Sequence, residues 1–222
     1  MRFRDRRDAG EQLARELHAY ALDRPVVLAI PRGGVLVADA IVRARGWPLD
    51  VAIPRKLRAP QNPELAFGAV TGDGTVYIDP ALAKALRVSD GYLRDEIDAQ
   101  IGEIERRRAA YRGARPEPDV RGRTAIVVDD GVATGATTRA ALHATRMRNP
   151  KKLVLAVPVA PTDSLAALRS DADEVIRLED YEVFGAIGLY YRNFNQVTDE
   201  EVIETLKRFP VSKLEQAPQP AA

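Results

Sequence analysis

The chain has 222 residues, 45% hydrophobic and 29% charged, which is enough for one large domain with a substantial core. Its 33 basic and 32 acidic residues are mixed along the chain and sum to +1, so no global field points to nucleic acid or to an anionic membrane surface. Cysteine is absent and histidine is limited to His18 and His143; disulfides, thiolate nucleophiles and Cys-ligated zinc are excluded, and any metal must be held by oxygens.

No window approaches the ~20 apolar residues of a membrane span, and a cytoplasmic protein is expected. Asp8, with Glu11 three residues on, predicts a helix start; Leu13, Leu17 and Tyr20 recur at helical spacing and Pro25 closes the element. Residues 26–31, VVLAIP, form a short apolar run ending in Arg32-Gly33-Gly34, the pattern of a buried strand followed by a turn. A helix over 35–44 follows, and LDVAIP at 49–54 repeats the strand signal. The polar stretch from Arg55 to Phe67, with Pro60 and Pro63 as breakers and Asn62 and Glu64 as polar positions, predicts a mobile loop outside the sheet.

Phe67–Val70 and Thr75–Ile78 flank Thr-Gly-Asp-Gly and read as a hairpin. Ser89 caps a long helix to about Tyr111, striped by Leu93, Ile97, Ile101 and Ile104; Glu103 precedes Arg106 and Arg107 at pairing distance, so the basic run reads as a solvated, ion-paired face. Strand 124–129, helix 135–147, strand 153–159, helix 163–169 and strand 174–178 then alternate with short connections, the signature of a parallel sheet with helices on both faces. Thr198 with Glu201 three residues on, and Val197 with Val202, start a final helix. The organisation is an α/β domain over 1–210 with a helical insertion at 75–118 and a mobile tail at 211–222.

The chemistry concentrates in TAIVVDDGVATGATT, residues 124–138. The strand delivers Asp129 and Asp130 to the carboxyl edge of the sheet, where open α/β folds bind ligands. The following turn opens a helix whose free N–H groups, with the hydroxyls of Thr134, Thr137 and Thr138, suit a phosphate. Carboxylates for hydroxyl groups beside amides for a phosphate describe a ribose 5-phosphate. No lysine follows the glycine, which excludes a Walker-type loop.

VVDDGVATGATT resembles the phosphoribosyl pyrophosphate motif of the type I phosphoribosyltransferases, and AIPRGGV at 29–35 resembles their pyrophosphate loop, in the family's chain order. RKLRAPQNPELAFGAV at 55–70 is similar to a branch of that family whose acceptor is not evident. The resemblance implies a parallel sheet flanked by helices, with a small hood and a flexible loop. It also implies transfer of ribose 5-phosphate from 5-phosphoribosyl 1-pyrophosphate to a nitrogenous base or amine in a homodimer, with Mg²⁺ bridging pyrophosphate and ribose and met by Asp129 and Asp130, directly or through water.

Carried over residue by residue, Asp129 and Asp130 are the catalytic acids. Arg32, Gly33 and Gly34 bind pyrophosphate, Ala133, Thr134, Gly135, Ala136, Thr137 and Thr138 bind the 5-phosphate, and Arg55 and Lys56 either neutralise the leaving group or only begin a solvated loop. The 55–67 loop becomes a lid that excludes water from a reactive cation. The hood falls at 179–197, where Tyr181, Phe184, Tyr190, Tyr191 and Phe194 can stack a planar acceptor or form ordinary core. In the 6-oxopurine enzymes of the family an acid precedes the Thr-Gly of the phosphate loop; here that place is Ala133, which disfavours hypoxanthine or guanine. The other function class the pattern admits is a non-catalytic sensor of phosphoribosyl pyrophosphate.

Overall fold

The computed structural model describes residues 3–70, 76–112 and 118–209, without the side chains of Pro63, Glu64 and Arg112. The turn expected at 71–74, the far end of the helical insertion at 113–117 and the tail at 211–222 lie outside the described residues. Five parallel strands build the main sheet: β1 (Val26–Ala29), β2 (Leu49–Val51), β6 (Thr124–Val128), β7 (Lys152–Pro161) and β8 (Glu174–Tyr181), in the order β2-β1-β6-β7-β8. Its central strands are buried along their length, as their unbroken apolar runs require.

Alternate residues feed two cores. Val27, Ala29, Ile126, Val128, Val154 and Ala156 pack with α1 (Arg6–Glu16), α2 (Gly33–Arg45) and α7 (Asp199–Arg208) through Leu13, Val37, Ile41 and Val202. Val26, Leu28, Ala125, Val127, Leu153 and Leu155 pack with α5 (Ala136–Arg146) and α6 (Thr162–Leu168) through Leu142, Leu165 and Leu168. Each such Val, Leu or Ile side chain, fully buried, contributes about 1.5–3 kcal/mol, so the strands that carry the site's loops are firmly held.

Helix α1 starts earlier than Asp8 predicts. Asp5 is the cap, its side chain accepting from the Asp8 backbone N–H, because burial of Arg6 and Ala9 draws one more turn into the helix. That turn carries Arg6 to the sheet edge. At the other end of the chain the expected capping box at Thr198 and Glu201 is complete, and Val197 and Val202 are both buried.

The 55–67 stretch departs from the expected unpaired loop. β3 (Arg55–Ala59) and β4 (Asn62–Val70) pair antiparallel across a turn at Pro60 and Gln61, and β5 (Val76–Ile78) adds a third strand. The proline breaker therefore marks a turn inside a hairpin. Pairing wins because Leu57, Phe67 and Val70 share one apolar face, which closes on Ile104 and the stripe of α4 (Asp90–Arg112). Tyr92 of α4 donates to the Arg58 carbonyl at 2.9 Å and Glu96 accepts from the Arg58 backbone N–H at 3.0 Å, which fastens the hairpin to the helix. α3 (Pro80–Ala85) links β5 to α4.

Candidate active site

β1 and β6 are adjacent, and the Ile30 N–H donates to the Val128 carbonyl at 2.8 Å, so the turns after both strands emerge side by side. The Arg32-Gly33-Gly34 turn thus lies directly against the two acids. A Cβ on Gly33 would collide with Asp130 Oδ2, and one on Gly34 would stand 2.7 Å from the Val128 carbonyl oxygen. Only glycine permits that approach. The peptide between Pro31 and Arg32 is cis. Arg32 is half-exposed and lies 3.9 Å from Asp199 of α7, which also accepts from the Tyr111 hydroxyl at 2.6 Å.

Asp130 is held at three points. Its Oδ2 accepts from Arg6 Nε at 2.7 Å in a nearly buried ion pair, its carbonyl accepts from the Tyr191 hydroxyl at 2.6 Å, and its N–H donates to Asp129 Oδ1 at 2.9 Å. Arg6 in turn donates to the Asn195 carbonyl at 2.8 Å and stacks 3.8 Å over the Phe194 ring. The two acids are therefore unlike. Burial, and next the negative charge of Asp130, hold the Asp129 carboxyl well above the usual carboxylate range, against the opposing pull of the Asp130 N–H and Arg6. Burial, and then Asp130, also push the Tyr191 hydroxyl up, so it remains a donor.

The next turn leads into α5 through Gly135, whose φ of +78° is left-handed. No side chain caps this helix, and Thr134 and Thr137 are exposed at its start while Thr138 is buried. A first turn whose amides no side chain caps, with two exposed threonines at its start, suits a phosphate. Ala133 is exposed and its carbonyl accepts from the Ser164 hydroxyl at 2.7 Å, which steadies the turn from α6. A Cβ on Gly135 would meet Leu168 at 3.4 Å, an ordinary contact, so glycine is required here by its backbone angle rather than by crowding.

Between the Pro31 turn, Thr137 and the β3 hairpin lies a cavity of about 350 Å³ lined by Arg55, Lys56, Arg58, Gln100 and Arg107; neither Asp129 nor Asp130 lines it. Arg58 is paired with Glu96 at 2.9 Å and Arg107 with Glu103 at 2.9 Å. Hydrogen bonds from Arg106 and Arg107 bring the Glu103 carboxyl down to about 2. Among the described residues Arg55 and Lys56 form no ion pair; Arg55 Nε donates instead to Gln100 Oε1 at 2.8 Å. Burial, and then Arg107, lower the Arg55 guanidinium's proton affinity. A partly buried cation with a neutral partner calls for an anion.

The hood aromatics stack mainly on one another. Tyr181 and Phe184 lie 4.8 and 4.7 Å from Tyr190, and Tyr191 packs between Phe3 and Phe194 at 5.4 and 4.9 Å. Tyr191 is 3% exposed, so it is placed to hold Asp130 rather than to meet an acceptor. Tyr181, Phe184 and Tyr190 keep partial exposure beside the open side chains of Val183 and Leu189. Ile187 packs so closely on Gly131 that a Cβ there would lie 2.6 Å from it, which seats the hood on the Asp-Asp-Gly turn.

The structure thus sets the Arg-Gly-Gly turn against the acids, and places the Arg55–Lys56 strand around a cavity that Pro31 and Thr137 of the two turns also line. It adds Arg6 and Gln100, which sequence spacing does not single out, and Arg107, which spacing reads as an ion-paired partner of Glu103 but not as part of a cavity wall. Among the described residues no group of three or more His, Cys, Asp or Glu side chains is placed to hold a metal. Two adjacent carboxylates fit a Mg²⁺ carried by phosphate oxygens and water better than one caged by protein.

A phosphoribosyl transferase domain matches residues 4–192. A protein of Mycobacterium tuberculosis H37Rv, provisionally named phosphoribosyl transferase Rv0571c, is 42% identical over 207 residues, covering 93% of this chain and 46% of the relative; the chain spans about half the length of the curated relatives it matches. The crystal structure of TT1426 from Thermus thermophilus superposes with a TM-score of 0.86 at 44% identity, covering 95% of this chain and 100% of that one. The AQ2163 protein from Aquifex aeolicus, 12% identical with a TM-score of 0.51 over 93% of this chain and 87% of that one, shares the fold alone.

Proposed function

The chain belongs to the phosphoribosyl transferase domain family, and from that premise we propose that it transfers ribose 5-phosphate from 5-phosphoribosyl 1-pyrophosphate to a nitrogenous acceptor, releasing pyrophosphate. The observation that carries this reading is the Gly33 turn lying against Asp130, with the open start of α5 following the same strand. An anion on the turn, hydroxyls at the acids and a phosphate on the helix are then parts of one ligand.

In this reading the α5 amides with Thr134 and Thr137 hold the 5-phosphate, and Asp129 and Asp130 accept from the ribose hydroxyls. The 32–34 amides, Arg55 and Lys56 hold the pyrophosphate. The bond between the anomeric carbon and pyrophosphate breaks with its electron pair leaving on oxygen, the acceptor nitrogen bonds that carbon, and a proton leaves the nitrogen. Positive charge grows on the ribose as the first bond stretches, where the fixed carboxylates stabilise it. Mg²⁺ bound to the diphosphate would neutralise the leaving group. The β3–β4 hairpin closes the cation-lined side and limits hydrolysis.

The position immediately before Thr134-Gly135 is Ala133 rather than an acid, which argues against a 6-oxopurine acceptor. We place the protein in the cytoplasm as a homodimer; among the described residues no helix is long and apolar enough to cross a membrane. The test is pyrophosphate release from phosphoribosyl pyrophosphate and Mg²⁺ against a panel of bases and amines. Acceptor-dependent release supports transfer. Tight binding with no release by any acceptor replaces it with the sensor reading.

A further inference from the structure

Glu96, Gln100, Glu103 and Arg107 follow one another at helical spacing along α4. The two carboxylates of this stripe are matched by guanidiniums, Glu96 by Arg58 at 2.9 Å and Glu103 by Arg107 at 2.9 Å. Between them stands an amide. Gln100 Oε1 accepts from Arg55 Nε at 2.8 Å, so the arginine that faces this position meets a neutral partner where its neighbours meet acids.

The amide has one workable orientation. Gln100 is 2% exposed, and its Nε2 donates at 3.1 Å to Glu96 Oε1, an atom that can only accept when ionised. Glu96 is itself buried and fixed by the Arg58 backbone N–H at 3.0 Å and by Arg58 Nε at 2.9 Å. Reversing the amide would set its oxygen against this carboxylate and its NH₂ against a guanidinium. Gln100 therefore holds Arg55 in place without cancelling its charge. Among the described residues no other Arg55 donor is engaged, which leaves the terminal guanidinium nitrogens for a ligand, and no carboxylate lines the cavity that Arg55, Lys56 and Gln100 share.

We propose that Gln100 is a positioning and specificity-determining residue, a neutral strut by which α4 aims Arg55 at the diphosphate of the donor. The proposal rests on the transfer reading for the identity of that anion. A carboxylate at this position would pair with Arg55 and occupy the donors meant for the ligand, since a charge-assisted pair is stronger than a bond to a neutral amide. The choice of amide over acid thus sets how strongly the leaving group is gripped. Because the strut acts at one end of the donor, its effect falls on pyrophosphate and not on the 5-phosphate at α5.

The test is calorimetry of the full chain with inorganic pyrophosphate and Mg²⁺ and, separately, with ribose 5-phosphate. Gln100→Glu should weaken pyrophosphate by on the order of tenfold or more and leave ribose 5-phosphate unchanged, which also shows that the variant is folded. Gln100→Met, which adds no charge, should lose less, and again from pyrophosphate alone. In an Arg55→Ala background Gln100→Glu should have little further effect, a coupling that general disturbance of α4 would not produce. Equal losses for both ligands, or a Gln100→Glu effect that persists without Arg55, overturn the proposal. Pyrophosphate affinity that falls with Arg55→Ala but not with Gln100→Glu removes Gln100 from this role and leaves the transfer reading standing. Gln100-dependent pyrophosphate binding with no acceptor-dependent release does the reverse, and a wild-type chain that binds no pyrophosphate overturns both.

Discussion

The two neighbouring carboxylates have separate physical roles, and mutation should separate them. Asp130→Asn removes the charge opposite a nearly buried Arg6, so it should cost about 1.5–3 kcal/mol of stability, besides lowering turnover on the order of 10²-fold. Asp129→Asn should lower turnover without that stability loss. Because the Asp129 carboxyl is raised, the folded state keeps its proton as pH climbs past the unfolded value; stability is therefore full below the unfolded value and falls as pH rises through the folded one. Asp129→Asn should consequently raise the thermal midpoint at pH 7.5 relative to wild type, with the gain shrinking toward pH 4. A gain independent of pH would remove Asp129 from this account. Gly135→Val should abolish ribose 5-phosphate binding, measured by calorimetry on the folded variant, because a β-branched residue at φ +78° displaces the start of α5. Wild-type affinity would show that the turn tolerates the change. Both acids and the phosphate turn are legible in sequence because they are contiguous. Arg6 is not, since 124 residues separate it from its partner, and aromatic spacing at Tyr191 does not reveal where its hydroxyl points.

At the level of elements, the central strands of the main sheet are readable because burial on both faces leaves unbroken apolar runs. The β3–β4 hairpin is not, because Pro60 and Pro63 signal a break while the pairing is decided by Leu57 and Phe67 meeting Ile104 from a distant helix. That packing changes how the region can move: the hairpin should close on ligand as a unit with α4, rather than as a loop that orders. Backbone exchange within β3 and β4 should therefore already be slow without ligand, and added phosphoribosyl pyrophosphate with Mg²⁺ should slow it further. Lys56→Ala should weaken phosphoribosyl pyrophosphate more than ribose 5-phosphate, by on the order of tenfold in the ratio of dissociation constants, about the size of one charge-assisted contact. Equal losses for both ligands would place Lys56 outside the pyrophosphate site.

At the scale of the whole molecule, the proposed ligand would join two sheets by its ends. In that reading the 5-phosphate binds at α5 on the main sheet and the pyrophosphate spans from the β1 turn to cations on the hairpin; α4 ties that hairpin to α7 through the Tyr111–Asp199 hydrogen bond. A ligand with both ends should clamp the two layers together; one with only the 5-phosphate should engage the main sheet alone. Binding to the folded state at a hundredfold excess over the dissociation constant adds about 2.7 kcal/mol. For a chain of this size that corresponds to a rise of roughly 5–10 °C in the thermal midpoint. Phosphoribosyl pyrophosphate with Mg²⁺ should give that rise, and ribose 5-phosphate at the same concentration a distinctly smaller one. Chelating the metal should reduce the first to about the second, because the carboxylates and the uncompensated diphosphate then repel across the Gly33 turn. Thermal scans of the four combinations decide it. Equal rises for the two ligands, or a rise untouched by chelation, would mean that the hairpin's cations and the two acids do not share one diphosphate-bearing ligand.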